Sequence, residues 1–143
     1  MPLFYVDTSA LVKLVLREVE TAALRTFLAE ADVVSSELVV TELPRAIRRA
    51  GARDPGLPVD ALIDRTGALL DTIALRRLDR PVLLAAGALA EPSLRALDAI
   101  HVATAIDVFP HDGFIGYDER QNVAARLAGL RTFTPGGWSP EGD

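Results

Sequence analysis

Short apolar runs alternate with longer amphipathic segments along the chain, and this alternation restricts the fold more than any other feature. The apolar runs cover residues 3–6, 33–35, 72–75, 114–117 and 131–133. The segments with helical spacing cover residues 9–17, 20–29, 37–49, 59–70, 81–90, 94–108 and 119–128. Strands that alternate with helices are typical of a parallel sheet covered by helices. The pattern therefore predicts an α/β fold.

The chain length indicates one domain, because two domains within 143 residues would each bury too little surface. Two prolines and two glycines interrupt the pattern at 51–58, where we predict a loop inside this domain. Pro44 lies inside a predicted helix and is expected to kink it or to mark its restart. Residues 135–143 are predicted to form an irregular tail. We expect a single domain over 1–143.

Composition excludes several kinds of chemistry. The chain has no cysteine, which excludes thiol nucleophiles and cysteine-ligated metals and leaves oxygen and imidazole as ligands. The net charge of −5 argues against a protein whose whole surface binds nucleic acid. A local cluster of carboxylates that holds a cation would also make the net charge negative. The first residues do not resemble a signal peptide. The longest apolar run, 82–90, is far shorter than the ~20 residues of a membrane helix, so we expect a cytoplasmic protein without a membrane anchor.

Two aspartates follow predicted strands. Asp7 comes directly after the first apolar run, and Asp118 comes directly after the fourth. The carboxyl ends of parallel strands are where open α/β sheets bind ligands. Each aspartate can equally cap the helix that follows it, and Gln121 stands where a capping box would place it. Capping and ligand binding both stay open at these two positions.

Glu42 lies at the edge of the apolar stripe of its predicted helix. An ion pair with Arg45 or Arg49, worth only ~0.3–0.5 kcal/mol, is the simpler explanation of a glutamate there. The sequence also permits Glu42 to serve as a metal ligand.

Asp98 lies in a predicted helix made mostly of leucine, isoleucine, valine and alanine. A buried, unpaired carboxylate is costly, so Asp98 requires a partner. That partner is either His101, one turn away, or a metal ion shared with other carboxylates. For His101 itself we favour the role of a hydrogen-bonded helix residue over that of a ligand.

Four segments, taken in order, resemble the PIN-domain ribonucleases, and most closely the VapC toxins of type II toxin–antitoxin pairs. They are Val6-Asp7-Thr8-Ser9-Ala10-Leu11-Val12-Lys13-Leu14, Thr41-Glu42-Leu43, Leu97-Asp98-Ala99-Ile100-His101-Val102-Ala103-Thr104-Ala105, and Gly116-Tyr117-Asp118-Glu119-Arg120. The segment 124–130 continues the match before the last predicted strand. Each motif is short, but together they span nearly the whole chain.

The resemblance implies a three-layer α/β/α sandwich around a central, mainly parallel sheet. It implies an endoribonuclease that hydrolyses RNA phosphodiester bonds with a metal-activated water, and it implies a homodimer with a cognate VapB-type antitoxin. The acids Asp7, Glu42, Asp98 and Asp118 would gather around one or two Mg²⁺ or Mn²⁺ ions. Carboxylates brought together without basic partners repel one another unless a cation lies between them. Ser9 resembles the hydroxyl that supports the first acid.

One position departs from the family pattern. The family usually has threonine or serine two residues before its last acid, and this chain has Gly116 there. The missing hydroxyl leaves the role of Asp118 open. It also leaves open a catalytically inactive PIN fold that binds RNA or protein.

A phosphotransferase of the haloacid dehalogenase type is a further alternative, because it also begins with a strand that ends in aspartate. Such enzymes need a second aspartate two residues later, where this chain has Ser9. We therefore rank this alternative behind the nuclease.

Basic residues with no acid among them follow Glu42. They are Arg45, Arg48, Arg49 and Arg53. Some of them are expected to contact RNA phosphates near the acidic residues, and a solvated helix face is the competing interpretation.

Overall fold

The computed structural model of this chain describes residues 1–137. These residues form five strands and seven helices, and one or two helices stand between each strand and the next. The elements are β1 (Leu3–Val6), α1 (Thr8–Val15), α2 (Thr21–Leu28), β2 (Asp32–Ser36), α3 (Val39–Arg53), α4 (Val59–Leu70), β3 (Ala74–Arg76), α5 (Arg80–Gly87), α6 (Ala96–Asp107), β4 (Gly113–Ile115), α7 (Glu119–Leu127) and β5 (Thr132–Phe133). The predicted strands and helices are all present, with ends shifted by a few residues.

The five strands form one sheet in the order β3-β2-β1-β4-β5, and every neighbouring pair is parallel. Tyr5 of β1 lies opposite Val34 of β2 on one side and Phe114 of β4 on the other. The chain first builds outward from β1 to β3 and then returns to the other side of β1. The carboxyl ends of β1 and β4 therefore border the crevice where such sheets bind ligands.

Helices cover both faces of the sheet, which confirms the three-layer sandwich. Side chains of β1 alternate between the faces, as in any strand. Phe4 and Val6 pack with buried residues of α1, α2, α3 and α4. Tyr5 packs on the opposite face with Phe114 and with residues of α6 and α7. Helix α5 lies against α6 on that second side.

Helix α3 is longer than the sequence predicted. It continues through Pro44 without a restart and through Gly51 to Arg53, so the loop predicted at 51–58 is confined to residues 54–58. A β-carbon at Gly51 would collide with a methyl group of Val59 at the start of α4. The glycine that looked like a helix breaker therefore permits close packing of α3 against α4.

Within residues 1–137, no helix combines the length and the apolar character that crossing a membrane requires. Of the tail predicted at 135–143, residues 135–137 form a turn and a bend after β5. Residues 138–143 lie outside the described part of the chain.

Candidate active site

Asp7 lies at the carboxyl end of β1 and also caps α1. Its backbone N–H donates to the Ile115 carbonyl at 3.1 Å, which joins β1 to β4 up to the last residue of each strand. Its Oδ1 accepts from the Ala10 N–H at 3.0 Å and from Ser9 Oγ at 2.7 Å. Among the described residues, no donor reaches its Oδ2. The carboxylate thus caps the helix with one oxygen and keeps the other available.

The environment of Asp7 is unfavourable for a bare negative charge. The residue is 3% exposed, and burial raises its pKa, while the nearby His101 imidazole and the hydrogen bonds compensate only in part. No lysine or arginine forms an ion pair with Asp7 within residues 1–137. A cation beside Oδ2 would relieve this cost.

Ser9 links Asp7 to the segment that follows β4. Its Oγ donates to Asp7 and accepts from the backbone N–H of Tyr117 at 3.2 Å. The neighbouring Gly116 leaves room for the same carboxylate, because a β-carbon there would lie 2.9 Å from Asp7 Oδ2. A side chain at Gly116 would require Asp7 or Phe114 to shift. Ser9 supplies a hydroxyl at the same junction.

Glu42, on α3, does not use the arginines that its helix position suggested. Its Oε1 accepts from Thr8 Oγ1 at 2.6 Å and lies 2.7 Å from His101 Nε2. Burial raises the pKa of Glu42, but the hydrogen bonds from His101 and Thr8 outweigh burial and lower it overall. Arg49 acts on Glu42 only through its charge. Within 1–137, Glu42 Oε2 receives no hydrogen bond.

Asp98, in the first turn of α6, is half-buried, and no hydrogen bond reaches its carboxylate from the described residues. His101, the partner that its spacing suggested, contacts Glu42 instead. Burial raises the pKa of Asp98, and the negative charge of Asp118 raises it further. Among the described residues, none forms a hydrogen bond or an ion pair with the Asp98 carboxylate.

Asp118 is exposed and caps α7, with Oδ1 accepting from the Gln121 N–H at 3.2 Å. The predicted capping box is formed only by half. The side chain of Gln121 donates to the backbone carbonyl of Asp98 at 3.3 Å, which ties α7 to α6. This bond holds Asp118 and Asp98 on adjoining helix ends.

The four acids form a row along the carboxyl edge of the sheet. The negative charge of Glu42 raises the pKa of Asp7, and the negative charges of Asp118 and Glu42 raise the pKa of Asp98. No three Asp, Glu or His side chains of residues 1–137 converge on a common point as metal ligands. Mg²⁺ commonly binds through one or two carboxylates and retains several waters, so these hard oxygen donors fit a hydrated divalent cation.

Sequence reasoning missed the residues that surround Glu42. Thr8 directly follows Asp7, and Tyr5 precedes it in β1; both join His101 in one hydrogen-bonded group. Two features of the sequence could have indicated this group: the hydroxyl of Thr8 next to Asp7, and His101 in an otherwise apolar helix. The predicted RNA contacts Arg45, Arg48 and Arg49 are exposed on α3.

Comparison with known proteins agrees with this geometry. Residues 4–125 match the family model described as PIN domain. Ribonuclease VapC47 of Mycobacterium tuberculosis (strain CDC 1551 / Oshkosh) is 36% identical over 140 residues, which covers 94% of this chain and 98% of that protein. Ribonuclease VapC46 of Mycobacterium tuberculosis (strain ATCC 25618 / H37Rv) is 39% identical over 139 residues, covering 94% and 99%. Ribonuclease VapC35 of the same species is 38% identical over 140 residues.

Proposed function

Because this chain belongs to the PIN-domain family and resembles its VapC ribonucleases over nearly its full length, we propose that it is a metal-dependent endoribonuclease and the toxin of a toxin–antitoxin pair. One observation carries the proposal. Within residues 1–137, none of the carboxylates of Asp7, Glu42, Asp98 and Asp118 is paired with lysine or arginine. The family assignment leaves the haloacid dehalogenase alternative without support.

We propose that Asp7, Glu42 and Asp98 hold Mg²⁺ or Mn²⁺, with Asp118 beside them. When bound, such a cation stabilises the negative charge that develops on the phosphate and makes a water molecule more acidic. The protein's own part is orientation. Ser9 and the Ala10 N–H hold one oxygen of Asp7 and leave the other free for the cation.

The substrate we propose is RNA, bound with its phosphates toward the exposed arginines of α3. Arg45, Arg48 and Arg49 project from the helix that carries Glu42, so they can hold a phosphodiester beside the acidic edge. Glu42 is partly buried and the arginines are exposed, which separates the two tasks on one helix. Arg53, at the end of the same helix, extends the basic surface.

The partners we propose are a VapB-type antitoxin and a second copy of this chain, in the cytoplasm where RNA is available. Co-expression with the small protein encoded by a neighbouring gene tests the first, because a cognate antitoxin would co-purify and suppress cleavage. Light scattering on the antitoxin-free protein tests the homodimer. A monomer at all concentrations would contradict that part of the proposal.

The decisive test is cleavage of total RNA, including intact transfer and ribosomal RNA, by antitoxin-free protein with Mg²⁺ or Mn²⁺. Controls are EDTA and Asp7→Asn, which keeps an oxygen for the helix cap and removes the charge. Discrete cuts that need metal and vanish in the variant support the proposal. Cleavage by Asp7→Asn at the parental rate would refute it. Absence of both cleavage and Mn²⁺ binding in the parent would favour the inactive binding module.

A further inference from the structure

His101 has both ring nitrogens engaged although it lies in an apolar helix. It is 2% exposed. Its Nδ1 lies 2.8 Å from the hydroxyl of Tyr5, and its Nε2 lies 2.7 Å from Glu42 Oε1 and 3.0 Å from Thr8 Oγ1. Glu42 lies on α3 and Asp98 on α6, and the His101–Glu42 contact joins these two helices.

The direction of the hydrogen bond to Glu42 follows from its partners. An ionised carboxylate only accepts hydrogen bonds, so Nε2 of His101 carries the hydrogen that faces Oε1. Thr8 Oγ1 donates to the same oxygen. Two donors therefore fix Oε1, and Oε2 is the oxygen of Glu42 that remains for another ligand.

Tyr5 holds the imidazole from its other side. Its ring is fully buried and stacks on Phe114, with centroids 5.5 Å apart and planes at 11°. Because the sheet core fixes this ring, the hydroxyl presents a fixed contact to His101 Nδ1. Contacts thus run without interruption from the core of the sheet through His101 to Glu42.

We propose that His101 is a positioning residue for the nuclease reaction: supported by Tyr5, its Nε2–H holds one oxygen of Glu42 so that the other faces the acidic edge. This inference rests on the proposed function. Glutamate has three rotatable side-chain bonds, and a ligand that samples several rotamers binds a cation less tightly than one held in place. Groups that orient metal ligands typically change metal affinity by about 10–100-fold when removed.

A matched pair of amides separates positioning from simple packing. The amide nitrogen of glutamine reaches the place of histidine Nε2, whereas the shorter asparagine places its amide near Nδ1. His101→Gln therefore keeps a donor toward Glu42, and His101→Asn keeps a polar group only toward Tyr5. The control is His111→Gln, because His111 contacts the Ala105 carbonyl before β4, away from the carboxyl edge.

The measurements are Mn²⁺ affinity, from the paramagnetic resonance of free Mn²⁺, and kcat and KM on an RNA that the parent cleaves, with folding checked by circular dichroism. We expect His101→Asn to weaken Mn²⁺ binding by about 10-fold or more and to lower kcat, with KM within about twofold. His101→Gln should stay within about threefold of the parent, and His111→Gln should match it.

The outcomes distinguish the two proposals. A parent that neither cleaves RNA nor binds Mn²⁺ rejects the proposed function, and this inference with it. A parent that cleaves, together with a folded His101→Asn of parental Mn²⁺ affinity and kcat, overturns the inference alone, as does equal loss in the Gln and Asn variants. If His101→Asn does not fold, the test uses Tyr5→Phe, which removes the hydroxyl that contacts His101 Nδ1. Weaker Mn²⁺ binding in that variant supports the positioning role, and parental binding overturns it.

Discussion

At the scale of single residues, Asp7 shows how one carboxylate serves structure and chemistry together. Its Oδ1 completes the cap of α1, and its Oδ2 lies in the space that Gly116 leaves. A neutral side chain with one oxygen would satisfy the cap equally well. The negative charge is therefore unnecessary for the helix cap, and His101 and the hydrogen bonds offset the cost of burying it only in part.

Replacing Asp7 by asparagine should stabilise the metal-free protein while abolishing cleavage. Burial raises the folded-state pKa of Asp7, so the unfolded chain ionises first and the carboxylate progressively destabilises the fold as pH rises through that interval. Thermal melts in EDTA should show Asp7→Asn melting a few degrees higher at pH 7, since about 1 kcal/mol corresponds to roughly 3–4 °C in a domain this long. The advantage should shrink at acidic pH. A lower melting temperature at pH 7 would show that the charge itself supports the fold.

The partners of individual side chains were predictable only where they are local. Asp7 and Asp118 follow strands and precede helices, and both caps are present. His101, one turn away, was one of the two partners that the sequence permits for Asp98, yet the acidic partner of His101 is Glu42, which stands 59 residues earlier in the chain. Helical spacing states which residues share a face, but it does not state which other helix packs against that face.

At the scale of elements, the junction of β1 and β4 depends on a position without a side chain. A β-carbon at Gly116 would lie 2.9 Å from Asp7 Oδ2 and 2.9 Å from a ring carbon of Phe114. Phe114 is fully buried in the core, so the carboxylate is the group with more freedom to move. Substitution at Gly116 should therefore move Asp7 and affect both stability and chemistry.

Gly116→Ala should lower the stability by about 1–3 kcal/mol, as overpacking of a filled site usually does, and should reduce cleavage. The matched control is Gly67→Ala in α4, where a β-carbon meets nothing within 4 Å and should stabilise the helix by up to about 1 kcal/mol. Chemical denaturation and the cleavage assay measure both variants. Parental cleavage by Gly116→Ala would mean that Asp7 adjusts without losing its function.

The exposed arginines of α3 should contribute to RNA binding through phosphate charge. Arg48→Gln with Arg49→Gln should weaken binding and make the slope of log affinity against log salt shallower by about 1.4, the value for two lost contacts on a single strand. The control is the double variant Arg17→Gln with Arg65→Gln, because these arginines are exposed on other segments. Filter binding to a catalytically inactive background measures both. Equal salt slopes in the two double variants would mean that the arginines of α3 contribute no more to RNA binding than other exposed arginines do.

The elements themselves were largely predictable from the sequence, because apolar runs and helical spacing are local properties. Helix α3 is the exception. Its Gly51 was interpreted as part of a loop, whereas the glycine permits contact with Val59. A glycine that ends a helix and one that admits a neighbouring helix have the same local sequence signal, and tertiary packing decides between them.

At the scale of the whole molecule, strand order explains why four acids far apart in sequence border one crevice. The reversal at β1 places the ends of β1 and β4 side by side, and α3 and α6 bring Glu42 and Asp98 to the same edge. Spacing in the chain contains no information about which helix ends share this edge. The family resemblance implies that the four acids gather around a metal ion, which stays a prediction, and the side-chain partners around Glu42 required the structure.

Divalent cations should raise the melting temperature of the parent protein through this edge rather than through its net charge of −5. A ligand that binds only the folded state stabilises it by about 2.7 kcal/mol at 100 times its dissociation constant. Mn²⁺ at that excess should therefore raise the melting temperature by several degrees, and EDTA should reverse the effect. The melting temperature of Asp7→Asn should change little.

The matched control is Asp32→Asn, which removes the same charge from an exposed residue at the start of β2, the opposite edge of the sheet. Parental stabilisation in Asp32→Asn but not in Asp7→Asn would place the cation at the acidic row, because both variants have the same net charge. Equal stabilisation in all three proteins would mean that Mn²⁺ acts on the summed charge, and the metal ligands proposed here would then be wrong.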